Sequence, residues 1–286
     1  MNTCIECLPC LGRIAVETAT RSTGDPELRE KIVTSAFQLL SQDVFHKSPP
    51  YYAKEILKVR DQVIAGNDIY IEEKKRSNQL AKELLKELSK IPQYDPENFE
   101  SRLRLAIAGN ILDFGVYSSL DMDKALEVVR LAFTKPIDED AVKRVRNRMD
   151  SAEKILYLLD NCGEAVFDRV FIKPYRKKTV LGVRGCCVFN DVTEDDLEDC
   201  GLSCFARGVI SNGPAGIPGT ILEHTSEEFK KEFFSADLII SKGQGNFETL
   251  NESSVPIAFL FLAKCPVVIR EIGAELHSLQ VRTLNF

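Results

Sequence analysis

The chain has no apolar run long enough to cross a bilayer. Its longest, Val255–Ala263, falls well short of a membrane helix and is interrupted by Pro256. The N-terminus shows no basic stretch followed by a long apolar core, so no secretion signal is read there and a cytoplasmic location is expected. Positive charge is not in excess either. A net charge of −6 argues against a broad nucleic-acid or anionic-membrane surface, and it means that any anion site must be built locally. A disulfide framework is also missing, because the nine cysteines are odd in number and irregularly spaced. "CIECLPC" at 4–10 has spacing that could hold zinc or an iron–sulfur cluster, but no second CxxC and no nearby histidine completes four ligands. Cys200 and Cys204 could do so only if the fold brought them close. The simpler reading is thiols that are buried or placed at a helix start in a reducing compartment. The pair Cys186-Cys187 lacks the C-x5-R spacing of thiol phosphatases. There is no internal repeat and no low-complexity segment.

What is present is an ordinary globular balance, 44% hydrophobic and 28% charged over 286 residues, enough for a sizeable core. The pattern changes near residue 150. Before it the chain reads as helices. "DPELREKIVTSAFQLLSQ" opens with Asp25 as a cap and Pro26 at the first helical position, and its apolar residues recur every three or four. "SPPYYAKEILKVRDQV", "DIYIEEKKRSNQLAKELLKEL", "DPENFESRLRLAIAGN" and "DMDKALEVVRLAF" follow the same plan, and the basic run in "AVKRVRNRMD" is a solvated helix face. After residue 150 come short apolar runs: "KILYLLD", "KKTVLGVRG", "FARGVISNG", "ADLIISKG", "IAFLFLAK" and "PVVIREIG". They read as strands buried on both faces, with "SEEFKKEFFSA" a helix between two of them. The expected fold class is α/β: a helical domain over 1–150, then a three-layer, Rossmann-like α/β/α domain over 151–286.

In such sheets ligands bind beyond the carboxyl ends of the strands, so the polar residues there are the candidates. Asp160 and Asn161 close the first strand. Asn190 and Asp191 follow the second, Ser211 and Asn212 the third, and Lys242-Gly243-Gln244-Gly245-Asn246 the fourth. Carboxylate and carboxamide oxygens suit a hard divalent cation such as Mg²⁺ or Mn²⁺, and Asp160, Asn161 and Asp191 form such a ligand set. Lys242 is placed on a phosphate as a point charge, and Gly243 and Gly245 let main-chain N–H groups approach it, with Asn246 beside them. Each has a plainer alternative: Asp160-Asn161 as a turn or cap, Asp191 as the cap of "TEDDLEDCG", and the lysine segment as a tight turn. On the cradle reading Lys242 projects into a polar cleft, and its removal should barely change stability.

"LLDNCGEAVFD", "FNDVTEDD" and "ADLIISKGQGNFETL" resemble the signature segments of the damage-control phosphatase family, formerly catalogued as domain of unknown function eighty-nine. "CIECLPCLGRIA" and "RLAIAGNILDFG" at 104–115 are similar to its archaeal-type branch. The resemblance covers nearly the whole chain. It implies a helical domain joined to a Rossmann-like domain and metal-dependent hydrolysis of small phosphomonoesters, sugar phosphates or damaged phosphometabolites. The implied cofactor is one divalent ion (Mg²⁺, Mn²⁺, Co²⁺ or Ni²⁺). Carried over by motif, Asp160, Asn161 and Asp191 are metal ligands and Lys242 contacts the phosphate. Asn110 and Asp113 fall in a recurrent segment, Asn110 on the substrate side. Gln244 and Gly245 stand where some branches carry Asp and Leu, positions that should line the pocket. In the mechanism expected of such a site, a spare carboxylate, Asp195 or Glu164, would orient the water. The alternatives are a carboxyl methyltransferase using S-adenosylmethionine and a non-catalytic phosphometabolite-binding protein. The first would want a Gly-rich turn after the first strand, where "DNCGEAVFD" offers one glycine.

Overall fold

A computed structural model describes residues 1–42, 44–64, 68–111 and 122–286. Helices α1 (Leu8–Ser22), α2 (Pro26–Leu40), α3 (Pro49–Val63), α4 (Ile71–Glu87), α5 (Phe99–Ala108), α6 (Met122–Thr134) and α7 (Glu139–Ser151) precede the first strand. The starts of α2, α5 and α7 follow the capping rules. The Asp25 carboxylate accepts from Glu27 N–H at 2.9 Å ahead of Pro26, and Asn98 and Asp138 cap α5 and α7 in the same way.

Then β1 (Ile155–Leu158), α8 (Glu164–Ile172), β2 (Thr179–Val183), α9 (Leu197–Cys200), β3 (Gly208–Ser211), α10 (Glu227–Ser235), β4 (Leu238–Lys242), α11 (Gln244–Leu250), β5 (Ile257–Leu262), α12 (Pro266–Ile272) and β6 (Leu279–Leu284) complete the chain. They build one sheet in the order β3-β2-β1-β4-β5-β6, parallel except for β6, which runs antiparallel to β5. Strands β1, β2, β4 and β5 are buried on both faces because both are covered, whereas β3, expected to be buried likewise, lies at the sheet edge and is only partly so, with Val209 exposed. Ile155, Tyr157, Leu181, Ile240 and Leu260 join a core with α5, α7 and α8, whereas Leu156, Leu158, Ile239, Phe259 and Phe261 join a second core with α10, α11 and α12.

The first of these cores runs from Ala81 to Val281, so it continues across residue 150, where the secondary structure changes. Helices α1 to α3 have a smaller cluster of their own, around Leu11, Ala36 and Ile56. Among the described residues no helix is long and apolar enough to cross a membrane.

One expected strand is corrected. "PVVIREIG" is α12: Pro266 occupies the first helical turn, where its missing N–H costs nothing, and Gly273 ends the helix in a left-handed conformation at φ 63°. The sixth strand is instead "LQVRTL".

Candidate active site

The chain leaves β1 toward β2 and β3 on one side and returns through β4 to β5 and β6 on the other. The β1/β4 boundary is therefore where the winding reverses, the place where such sheets open a crevice. Leu158 pairs with Ser241 across it, which brings Asp160 alongside Gly243.

Asp160 and Asn161 do not cap α8; Gly163 holds that position. Asn161 Nδ2 donates to Asp160 Oδ2 at 2.8 Å, and Asn161 forms a β-bridge with Asp191. Main-chain bonds fix the two segments together: Val192 N to Asp160 O at 2.8 Å and Cys162 N to Asn190 O at 2.9 Å. Asp191 does not cap a helix either. Thr193 and Asp196 form that capping box. All three candidate metal ligands are buried and adjacent.

Asn110 lies behind them. Its Nδ2 donates to Glu164 Oε2 at 2.8 Å and to Asp160 Oδ2 at 3.2 Å. Glu164 in turn meets Lys242, whose Nζ also donates to Asp168 Oδ1 at 2.8 Å and to Ala106 O at 3.0 Å. Lys242 is fully buried and its three N–H donors have three acceptors. The open cleft expected around it is therefore corrected: Lys242 forms a closed ion cluster beneath the carboxylates. Burial alone would lower the Lys242 pKa, but Asp168 and Glu164 outweigh it and hold the lysine charged above its ordinary value. Burial, helped by the like charge of Glu164, pushes the Asp168 carboxyl up to about 6 against the pull of Lys242.

The glycines have a different task from the one the sequence suggested. The N–H of Gly243 is spent on Leu260 O at 3.2 Å. Its φ is 79°, and an added Cβ would lie 2.0 Å from Asp160 Oδ2, so only glycine lets the chain pass this carboxylate. Gly245 lies against the main chain of Pro218 and Gly219. Asn246 braces the turn, with Nδ2 donating to Lys242 O at 2.8 Å and Oδ1 accepting from Thr220 Oγ1 at 2.9 Å. Gln244 braces it further, accepting from Lys264 N and Cys265 N and donating to Glu248. Asp195 is exposed on a short helical turn, whereas Glu164 is in the network. Asp113 lies outside the described residues.

Arg184, which sequence reasoning missed, directly follows β2. Its Nε donates to Asp191 Oδ2 at 2.6 Å, and its Nη2 lies 3.8 Å from Asp160 Oδ1. Nη1 donates to Gly219 O at 2.7 Å. The available signal was a lone arginine at a strand end, level with the other candidates. Burial raises the Asp191 pKa, with Arg184 pulling the other way.

The donor set suits a hard cation. Among side chains in mutual contact, the carboxylates of Asp160, Glu164, Asp168 and Asp191 face the cations Lys242 and Arg184. Lys264 reaches this cluster at the main-chain oxygen of Asn110, 2.5 Å away. Among the described residues no three His, Cys, Asp or Glu side chains converge on one point, so a cation here would rest on two carboxylates and the Asn161 carboxamide, with water and substrate completing its shell. In "CIECLPC", Cys7 stands at the start of α1, with its Sγ 3.5 Å from that of Cys4.

Helix α4 reaches over the site from the N-terminal half. Asn78 Oδ1 accepts from Gly163 N at 2.6 Å, Asn78 Nδ2 and Lys82 hold Asp199, and Lys74 Nζ meets Asp196 at 3.0 Å.

A family model described as the damage-control phosphatase ARMT1-like domain matches residues 3–279. The chain is 34% identical over 275 residues to a damage-control phosphatase of Pyrococcus horikoshii, covering 93% of each chain. It is 30% identical over 292 residues to a damage-control phosphatase of Archaeoglobus fulgidus, covering 99% of this chain and 98% of that one. An uncharacterised protein of Methanocaldococcus jannaschii is 34% identical over 284 residues, 94% of this chain and 91% of its own. The crystal structure of a protein of the domain-of-unknown-function 89 family from Pyrococcus horikoshii superposes with a TM-score of 0.86 at 30% identity, over 98% of both chains. With the family model matching nearly end to end, the chain belongs to the damage-control phosphatase family of ARMT1-like domains.

Proposed function

We propose that the protein hydrolyses phosphate monoesters of small damaged metabolites, with one divalent cation held by Asp160, Asn161 and Asp191. Damage-control phosphatases of this family are generally metal-dependent. The observation that carries the metal assignment is the burial, side by side at the β1/β4 boundary, of the Asp160 and Asp191 carboxylates and the Asn161 carboxamide. A cation bound there would supply Lewis acidity toward a phosphoryl oxygen and would lower the pKa of a bound water.

The chain's own residues do the rest. Asn110 and Asn161 orient Asp160 through its Oδ2. Lys242 is shared by Glu164 and Asp168, which holds these two carboxylates in place behind the site. Glu164, whose Oε2 accepts from Asn110, supports Asp160 through that amide. The methyltransferase reading needs a free Gly-rich turn after β1, and there the N–H of Gly163 is committed to Asn78.

The test is a screen of phosphomonoesters with Mg²⁺, Mn²⁺, Co²⁺ and Ni²⁺. Metal-dependent release of phosphate is expected, and its absence with every metal and ester would overturn the reading.

A further inference from the structure

We propose that Arg184 is the residue that contacts the phosphoryl group, with Nη2 as the donor. This rests on the reading of the site as a metal-dependent phosphatase.

Arg184 is 4% exposed and held from two directions. Its Nε is on Asp191 Oδ2 at 2.6 Å and its Nη1 on Gly219 O at 2.7 Å, with Thr220 Oγ1 and Asn246 Oδ1 each 3.4 Å from Nη1. Among the described residues Nη2 is buried without a hydrogen-bond partner, facing Asp160 Oδ1 across 3.8 Å. A buried donor without an acceptor is costly, and here it occurs inside a polar cluster where acceptors are plentiful. An orphan donor in such a place is explained by an acceptor that arrives with the ligand.

The other buried cation of the cluster cannot take this role without losing a bond, since Lys242 Nζ is saturated by Glu164, Asp168 and Ala106. Arg184 also has the better shape. A planar guanidinium matches the edge of a phosphate, and one fixed by Nε and Nη1 has little rotamer freedom left to lose. Arg184 and a divalent cation draw on the same two carboxylates, so the guanidinium gains most from a third anion. A fixed positive charge beside the equatorial oxygens is also placed to act as charge builds in the transition state.

The experiment uses Arg184→Gln and Arg184→Lys in the full chain. Three quantities are read: Mn²⁺ affinity by calorimetry without substrate, inorganic phosphate affinity on metal-free and Mn²⁺-loaded protein, and kcat and KM on a generic aryl phosphate. Thermal melting checks folding. In Arg184→Gln, Mn²⁺ affinity should hold or rise, because a competitor for Asp160 and Asp191 is gone. Phosphate affinity should fall by about tenfold to a hundredfold, the worth of a charge-assisted bond. The ratio kcat/KM should fall by on the order of 10²–10³, with Arg184→Lys in between. Unchanged phosphate affinity in Arg184→Gln would overturn the proposal. So would parallel losses of metal and phosphate affinity in both variants, which is the signature of a prop for the carboxylates. If Arg184→Gln does not fold, Arg184→Lys decides: its charge is kept and its fork lost, so wild-type phosphate affinity there sinks the proposal. Wild-type protein that turns over no ester refutes the function proposed above, while the phosphate affinities still decide the role of Arg184.

Discussion

Two buried cations stand at strand ends on either side of Asp160, and they are built differently. Lys242 is closed: three donors, three acceptors, no exposed surface. Arg184 is open: it is anchored by Nε and Nη1, and Nη2 has no hydrogen-bond partner among the described residues. A cation whose donors are all taken up by the protein serves the protein, and one with a donor to spare can serve a ligand. The motif made Lys242 conspicuous, but the bonding pattern points to Arg184.

The sharpest way to break the comparison is to disturb the carboxylate both cations border. Asp160→Ala should abolish divalent-metal binding in a calorimetric titration, and retained affinity would remove Asp160 from the ligand set. Gly243→Ala drives a methyl group into the same carboxylate in a backbone conformation that alanine resists. Turnover should drop by on the order of 10² or more through misplacement of Asp160, as steady-state kinetics would record.

The closed cluster predicts a stability effect where a phosphate cradle predicts none. Lys242→Met leaves Glu164 and Asp168 buried without their cation and should cost about 3–5 kcal/mol in denaturant unfolding. A loss below about 1 kcal/mol would mean the cluster is not closed in solution. A smaller effect concerns pH. Asp168 has its folded pKa raised from 3.8 to about 6. The native state therefore holds that proton more tightly than the unfolded chain, and this contribution to stability declines as pH rises from about 4 to 6. Asp168→Asn removes the titrating group, so melting temperature should fall less across that window than in the wild type. The smallest effect is expected of the thiols. Cys4, Cys7 and Cys10 changed together to Ser should leave turnover intact in a folded protein, because neither ion cluster includes them.

Much of this was legible in the sequence, and the exceptions have physical causes. The parallel strands β1, β2, β4 and β5 announced themselves as apolar runs because helices cover both faces. The segment over 266–272 misled because Val267, Val268 and Ile269 favour strands, while Pro266 and Gly273, the punctuation of a helix, decided the outcome. The neighbours Asp160, Asn161 and Asp191 could be collected from strand ends because topology alone brings those ends together. What Lys242 and Arg184 do could not be read in that way. For Lys242 it depends on Glu164 and Asp168, four residues apart on one face of α8, and on Ala106 O from α5, and for Arg184 on Asp191 and the distant Gly219 O.

The grip of α4 on the loops beyond β1 and β2 has a kinetic consequence. Lys74 and Asn78 find their partners at Asp196 and Asp199, more than a hundred residues downstream. During synthesis α4 is made long before those loops exist, and α5 waits likewise for α8 and for Lys242. Such high contact order delays productive folding until most of the chain is available. A nascent chain stopped before residue 196 should therefore leave α4 open to proteolysis, and one that includes Asp199 and β4 should begin to protect it.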